Sequence, residues 1–344
     1  MSSLPPRFLP MEIRPLDLAD DDEVRRFYDV SYRAEMEDGR PWNGHWTFEE
    51  VASMLREQTP DDQAASFAAY DGTTLVGAGL VMYSLVDNTD KAYVFPMVDP
   101  PARGCGAGGA LVEALVDHCR GLGRTTVTSN AAYAGQERDD AAPVRFATRH
   151  GFHVANTEIH RQLHLPVAAA LLDEVEAEGL SHRDGYTVET FVDGIPDELL
   201  PSYCALLNKL VVDAPSGEVD YEEQAMTPEL FREHLAKNGR IGRQVFHAVA
   251  LLDGEAVAQT DVAVQPHGPT AVQWGTYVSR DHRGHRLGAA VKVANLRAVQ
   301  AARPDVTRID TGNADTNAFM VSINERLGFE VVAVSPSFVR RLEA

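Results

Sequence analysis

The feature that most constrains this 344-residue chain is an internal repeat: its two halves carry the same turns, loops and apolar runs in the same order. Each half opens on a strand-like segment, residues 11–16 (MEIRPL) and 186–191 (YTVETF), followed by acidic helix-start chemistry at 17–22 and 193–198. After an amphipathic stretch, the run 66–81 around Asp71-Gly72 is matched by 247–262 around Asp253-Gly254. An Asp-Gly pair between β-rich runs predicts a type I′ hairpin, because both central residues must accept positive φ. A further strand follows in each half (92–98; 271–278), then a loop containing Arg103 or Arg283, then an alanine-rich helix. Next come a strand (125–128; 308–311), a short helix, a Gly-Phe pair at 151–152 and 328–329, and a last strand. Such a repeat predicts two copies of one α/β fold, each a mixed sheet flanked by helices. A short helix over 166–179 and a linker at 181–185 place the boundary near 180, giving domains 1–180 and 181–344.

The length suits two domains of about 150 to 170 residues. With 44% hydrophobic and 24% charged residues the chain reads as globular, and no apolar run approaches the roughly 20 residues of a membrane span. The opening residues lack the apolar stretch of a secretory signal, so a cytoplasmic location is expected, with no membrane partner. A formal net charge of −20 opposes binding to a phosphate backbone and favours cationic partners. Cys105, Cys119 and Cys204 are odd in number and form no C-x-x-C pair, which argues against disulfides and zinc. His282 and His285 share an H-x-x-H spacing without a third ligand, so no metal is expected.

The loops after the fourth strands carry the chemistry. Arg103-Gly104-Cys105-Gly106-Ala107-Gly108 fits R-x-x-G-x-G; Arg283-Gly284-His285-Arg286-Leu287-Gly288 fits it except that Arg286 stands where the first glycine of the pattern belongs. A turn of this kind feeding a helix points backbone N–H groups outward at the positive end of the helix dipole, where a pyrophosphate fits. Glycines are needed because a β-carbon would hold phosphate oxygens off the backbone and because some positions need positive φ. Gly104-x-Gly106-x-x-Gly109 also satisfies the dinucleotide pattern, but the next strand ends in Ser129-Asn130 rather than in an acid that would hold a ribose.

These loops resemble the acetyl-CoA motif of the GNAT N-acetyltransferase superfamily, R/Q-x-x-G-x-G/A between the fourth strand and third helix. The Gly-Phe pairs and the stretch from Asn313 through Asn317, Met320 and Asn324 to Phe329 resemble its later motif. The resemblance covers nearly the whole chain, twice, and is similar to the tandem, actinobacterial members that include mycothiol synthase. It implies two tandem acyl-CoA N-acyltransferase folds, acetyl-CoA as cosubstrate held between splayed fourth and fifth strands, and direct attack by a primary amine of a small molecule. In the second copy it assigns coenzyme A contacts to Val278, Arg283, Gly284, His285, Arg286, Leu287, Gly288, Asn313 and Asn317, with the backbone N–H near Val278 supporting the thioester oxyanion. In the first copy the matching positions are Val98, Arg103, Gly104, Gly106 and Gly108.

The chain departs from the family where the acid and base are concerned. Many members place a tyrosine acid five residues before the phenylalanine of Gly-Phe; here Ala147 and Asn324 stand there, and neither fourth strand carries a glutamate base. Asn324, as a hydrogen-bond donor to sulfur, and Tyr277 and Asp261 remain the catalytic candidates. The second copy has the denser cationic loop (Arg280, His282, Arg283, His285, Arg286) and is expected to turn over, the first serving as a non-catalytic partner. The segment 211–223 holds five carboxylates and no lysine or arginine, so it is expected to line the acceptor cleft and favour a cationic amine. The other reading is an acyl-CoA-binding structural or regulatory module without turnover. Either a monomer or a homodimer suits an internal pseudo-dimer.

Overall fold

The computed structural model describes residues 11–36, 46–134, 141–266 and 268–343; the opening segment on which the absence of a secretory signal was read lies outside them. They divide into two compact units, one drawn from Met1–Asn130, Asp139–Val154 and Phe338–Ala344, the other from Ala131–Arg138 and Ala155–Ser337. No described helix is long and apolar enough to cross a membrane.

The first unit runs β1 (Glu12–Pro15), α1 (Asp21–Met36), α2 (Phe48–Arg56), β2 (Asp62–Asp71), β3 (Thr74–Ser84), β4 (Lys91–Val98), α3 (Ala107–Gly121), β5 (Thr126–Asn130) and α4 (Ala142–Arg149). Its strands lie in the order β1-β2-β3-β4-β5, antiparallel except for the parallel β4/β5 pair. Leu16, Val24, Phe27, Val30, Leu55 and Leu80 form one buried cluster, with α1 and α2 on that sheet face. Leu111 of α3 reaches the other face beside Val76. A β-carbon on Gly77 would stand 2.8 Å from Leu111 Cδ1, so glycine at this position is what lets the helix approach.

The second unit contains most of β6 (His153–His164), then α5 (Ala169–Leu180), β7 (Thr187–Val192), α6 (Leu200–Asp213), α7 (Pro228–Arg240), β8 (Gln244–Leu252), β9 (Glu255–Val264), β10 (Thr270–Val278), α8 (Leu287–Ala302), β11 (Arg308–Ala314), α9 (Ala318–Leu327) and the first part of β12 (Glu330–Arg341). The order is β6-β11-β10-β9-β8-β7; only β10/β11 is parallel. Tyr203 and Leu206 of α6 and Phe231 of α7 cover one face. The other carries α8, whose small residues let ten of its sixteen positions be buried between the sheet and α5.

Two features depart from the reading of the sequence. Each copy was read as closing on its own last strand; in the structure β6 pairs with β11 of the second unit, and the end of β12 returns to the first, where the Leu342 N–H donates to Thr125 O at 2.8 Å. Because both copies share one apolar pattern, a strand from either end satisfies the same sheet edge. The hairpins also differ. Asp253 (φ 52°) and Gly254 (φ 84°) form the expected type I′ pair, whereas Asp71 stays in β2 and the first turn centres on Gly72-Thr73, with only Gly72 (φ 60°) in the left-handed region. A β-branched threonine disfavours positive φ, which excludes type I′ there.

Candidate active site

In the second unit β10 and β11 pair only through Thr270–Val272 and Arg308–Asp310, then part. The first unit does the same: Lys91–Tyr93 meets Thr126–Thr128, and β4 and β5 separate beyond. A bulge in β10 between Gln273 and Thr276 accompanies the parting, and Gly275 at its centre has Leu210 packed so closely that a β-carbon would lie 2.1 Å from Leu210 Cδ2. The Ser279 N–H donates across to Val257 O at 2.9 Å. Successive backbone groups of a strand point to opposite sides, so the N–H and C=O of Val278 face the gap. Asp99 N–H to Val76 O, also 2.9 Å, turns Val98 the same way in the first unit.

Each gap opens beside its glycine loop. After Val278, one 3₁₀ turn (Arg280–His282) leads to Gly284 (φ 88°) and then Arg286 (φ 56°), which caps α8 in the left-handed conformation. Gly104 (φ 81°) and Gly106 (φ 93°) hold the equivalent positions before α3. Arg286 thus adopts the backbone of a glycine at a cost of about 1 kcal/mol. A β-carbon built on Gly104, Gly106 or Gly284 meets nothing within 4 Å, so the N–H fan of each loop is open to a ligand, and a side chain would cover it. This fits a pyrophosphate. Gly108 and Gly288, in the first turns of α3 and α8, instead serve packing: added β-carbons would reach Phe146 at 3.1 Å and Ile323 at 3.4 Å. Leu287 is buried against the sheet.

The motif arginines turn inward. Nε of Arg283 donates to Val278 O and Nε of Arg103 to Val98 O, each at 3.3 Å, tying loop to strand in both copies. Arg103 also donates to Ala34 O. Arg283 donates to Asp213 Oδ2 at 2.7 Å, Tyr277 Oη to the same oxygen at 2.8 Å, and Arg280 to both carboxylate oxygens. The Arg280 bonds, with Tyr277 and Arg283, hold the buried Asp213 carboxyl down at about 2, against its desolvation. Burial and the facing carboxylate push the Tyr277 phenol up to about 12. The loop cations that the sequence offered to phosphates are therefore largely spent on Asp213, which itself ends α6 rather than lying in an open acidic loop. Arg286 stays exposed, its side chain without a hydrogen bond or ion pair among the described residues. His282 meets Tyr186 Oη at 3.0 Å, and His285 meets His182 O at 2.7 Å.

On the α8/α9 side of the gap, Asn324 is fully buried and donates through Nδ2 to Asn313 Oδ1 at 2.6 Å. Its own Oδ1 accepts from Lys292 Nζ at 2.9 Å. Lys292 lies inside α8, 5.5 Å from the centre of the Phe329 ring, and burial pulls its ammonium down to about 7. Sequence reading missed this lysine because a cation in an alanine-rich helix reads as a solvated position. Asn317 caps α9, accepting from the Met320 N–H at 3.3 Å. Asp261 is elsewhere: it accepts from Tyr203 Oη at 2.7 Å with both oxygens and meets His247 Nδ1 at 2.7 Å, in a closed cluster under α6. Its buried carboxylate is spent internally.

Residues 24–152 match the acetyltransferase (GNAT) family. Among solved structures, a tandem GNAT protein from the clavulanic acid biosynthesis pathway is similar at 27% identity and a TM-score of 0.76, over 97% of this chain and 99% of that one. A GCN5-related N-acetyltransferase from Sphaerobacter thermophilus shares the fold at 16% identity and a TM-score of 0.65, over 99% and 98% of the two chains. No curated protein matches the chain in sequence. With parted strands and an open glycine loop in each unit, the chain carries a GNAT acetyltransferase domain over residues 24–152 and is similar along nearly its full length to a tandem GNAT protein.

Proposed function

We propose that this protein transfers the acetyl group of acetyl-CoA to a primary amine of a small molecule by direct attack, and that the second copy, 181–344, completed by β6, turns over. The observation that carries this reading is the gap between β10 and β11 opening directly onto the loop at the N-terminus of α8. Loop N–H groups at Gly284 to Arg286 receive the pyrophosphate, with Arg286 as an exposed cation that is not engaged by Asp213. Strand groups along β10 and Asn313 of β11 border the pantetheine arm, and the Val278 N–H supports the oxyanion. Asn324 stands where the family's acid stands. A carboxamide holds its proton, so its part is to donate a hydrogen bond toward the leaving sulfur, with Lys292 behind it as a positioning residue. Holding thioester and amine together supplies much of the acceleration without a protein nucleophile.

Calorimetric titration with acetyl-CoA, paired with thiol release over a panel of primary amines, tests this reading. Gly284→Val strains the loop and covers its N–H groups, so it is expected to weaken acetyl-CoA binding at least 10-fold, with turnover lost; Gly104→Val is expected to spare turnover. Turnover lost in Gly104→Val and retained in Gly284→Val would place the reaction in the first unit. Binding without thiol release from any amine would favour the acyl-CoA-binding module, the reading to which the missing tyrosine and glutamate lend support.

A further inference from the structure

The second unit receives β6 from outside its own repeat, and with it two ionisable side chains that fall at the mouth of the gap. The register sets His160 opposite Gly312 and Glu158 opposite Ala314. Asn313, between those two positions of β11, turns its side chain to Asn324 on the α9 side. Strand alternation therefore puts Glu158 and His160 on the other face, that of α6. Gly312 lies just beyond Asp310, the last residue of β11 paired with β10. The place of a side chain on Gly312 is taken by these two groups: a β-carbon there would be 3.1 Å from Glu158 Oε2 and 3.6 Å from His160 Nε2. Over the same strand lies the loop after α6. Asn156 Nδ2 donates to Pro215 O at 3.0 Å, and Gly217 packs against the Ala155 carbonyl.

Both groups are half-buried, and neither has a hydrogen-bond or ion-pair partner among the described residues. A solvated surface carboxylate needs no partner, but one sunk into a wall carries a desolvation cost that only a ligand or a proton relieves. Burial raises the Glu158 carboxyl and lowers the His160 imidazolium, which makes the first a stronger base and leaves the second neutral near pH 7. The other charges on this face include Asp310, paired with Arg308 and near His164; Asp213 with Arg280 and Arg283; the closed His247–Asp261 pair under α6; and Glu218, Asp220, Glu222 and Glu223 of the loop. None is a cause of either shift.

We propose that Glu158 and His160 flank the acceptor amine in the second unit, with Glu158 the base that takes its proton and His160 a polar contact that holds it. The proposal rests on the transfer reading above. An alkylammonium, with a reference pKa of about 10.4, gives one proton to the Glu158 carboxylate. The freed nitrogen lone pair forms the C–N bond at the thioester carbon. As the tetrahedral intermediate collapses, the C–S bond breaks, and the thiolate takes up the second proton shed by nitrogen. The amide, coenzyme A thiol and a protonated Glu158 result, and Glu158 returns its proton to solvent. The base thus comes from the swapped strand, which explains why neither fourth strand carries a glutamate.

The test is thiol release from acetyl-CoA as a function of pH in the full chain, for wild type, Glu158→Gln and His160→Gln, with acetyl-CoA affinity measured by calorimetry on each. Glu158→Gln is expected to lower kcat/KM for the amine about 100-fold at pH 7 while acetyl-CoA affinity stays unchanged. The deficit should shrink toward pH 10, where the amine sheds its proton unaided. His160→Gln is expected to raise KM for the amine several-fold and to change kcat little. A wild-type rate in Glu158→Gln, or a deficit equal at every pH, would overturn the role of Glu158 and leave the acyltransferase reading standing. Absence of thiol release in wild type with every amine would overturn both.

Discussion

Lys292 shows how one side chain separates stability from chemistry. Its ammonium is pulled from 10.5 to about 7 by burial, with Asn324 as the hydrogen-bond partner. Between those two values the unfolded chain holds more protons than the folded one, so stability rises with pH from about 7 to about 10 and is flat at its lowest below 7. Lys292→Met fills the same space without a charge and is expected to abolish that slope and raise the melting temperature at pH 7. If Lys292 holds Asn324 toward the sulfur, the same variant should lower kcat several-fold without changing acetyl-CoA affinity. Thermal melts across pH 6–10 check the first expectation, and thiol release checks the second. The sequence carried Asn324 as a candidate and was silent on Lys292, because its partner lies 32 residues away on another helix.

At the scale of elements, the end of α6 is fastened to the β10–α8 loop through Asp213. A carboxylate at a helix C-terminus opposes the helix dipole, and here two arginines and a tyrosine more than compensate. Its folded-state pKa lies below its ordinary 3.8, so the contribution is complete above about pH 4 and is lost as pH falls toward 2. Asp213→Asn is expected to cost about 1–2 kcal/mol, after discounting for the exposed arginines, and to weaken acetyl-CoA binding by loosening the loop. An urea melt and a titration check it; unchanged acetyl-CoA affinity would mean that the loop keeps its shape unaided. The sequence had placed Asp213 among five carboxylates open to an amine. Which carboxylate in an acidic run is bound depends on cations that arrive from another segment, 67 and 70 residues along the chain.

At the scale of the molecule, the sequence repeat and the packing units do not share a boundary. A chain cut to 181–344 lacks β6 and α5, and with them Leu163, Val167, Leu172 and Val175 of the second unit's main core. Each buried side chain of this kind is worth about 1.5–3 kcal/mol, so four together rival the 5–15 kcal/mol net stability of a typical domain. Such a fragment is expected to melt without cooperativity, and a fragment from 155 onward to melt cooperatively, by circular dichroism. What the sequence determined by itself is local: the repeat, the order of strands and helices, the Asp253-Gly254 turn, and the glycine loops, because turn chemistry and apolar period are written in neighbouring residues. What only the tertiary structure decided is which strand joins which sheet, that Asp213 takes up the loop arginines, that Lys292 stands behind Asn324, and that Glu158 and His160 face the gap, because each depends on residues brought together from distant parts of the chain.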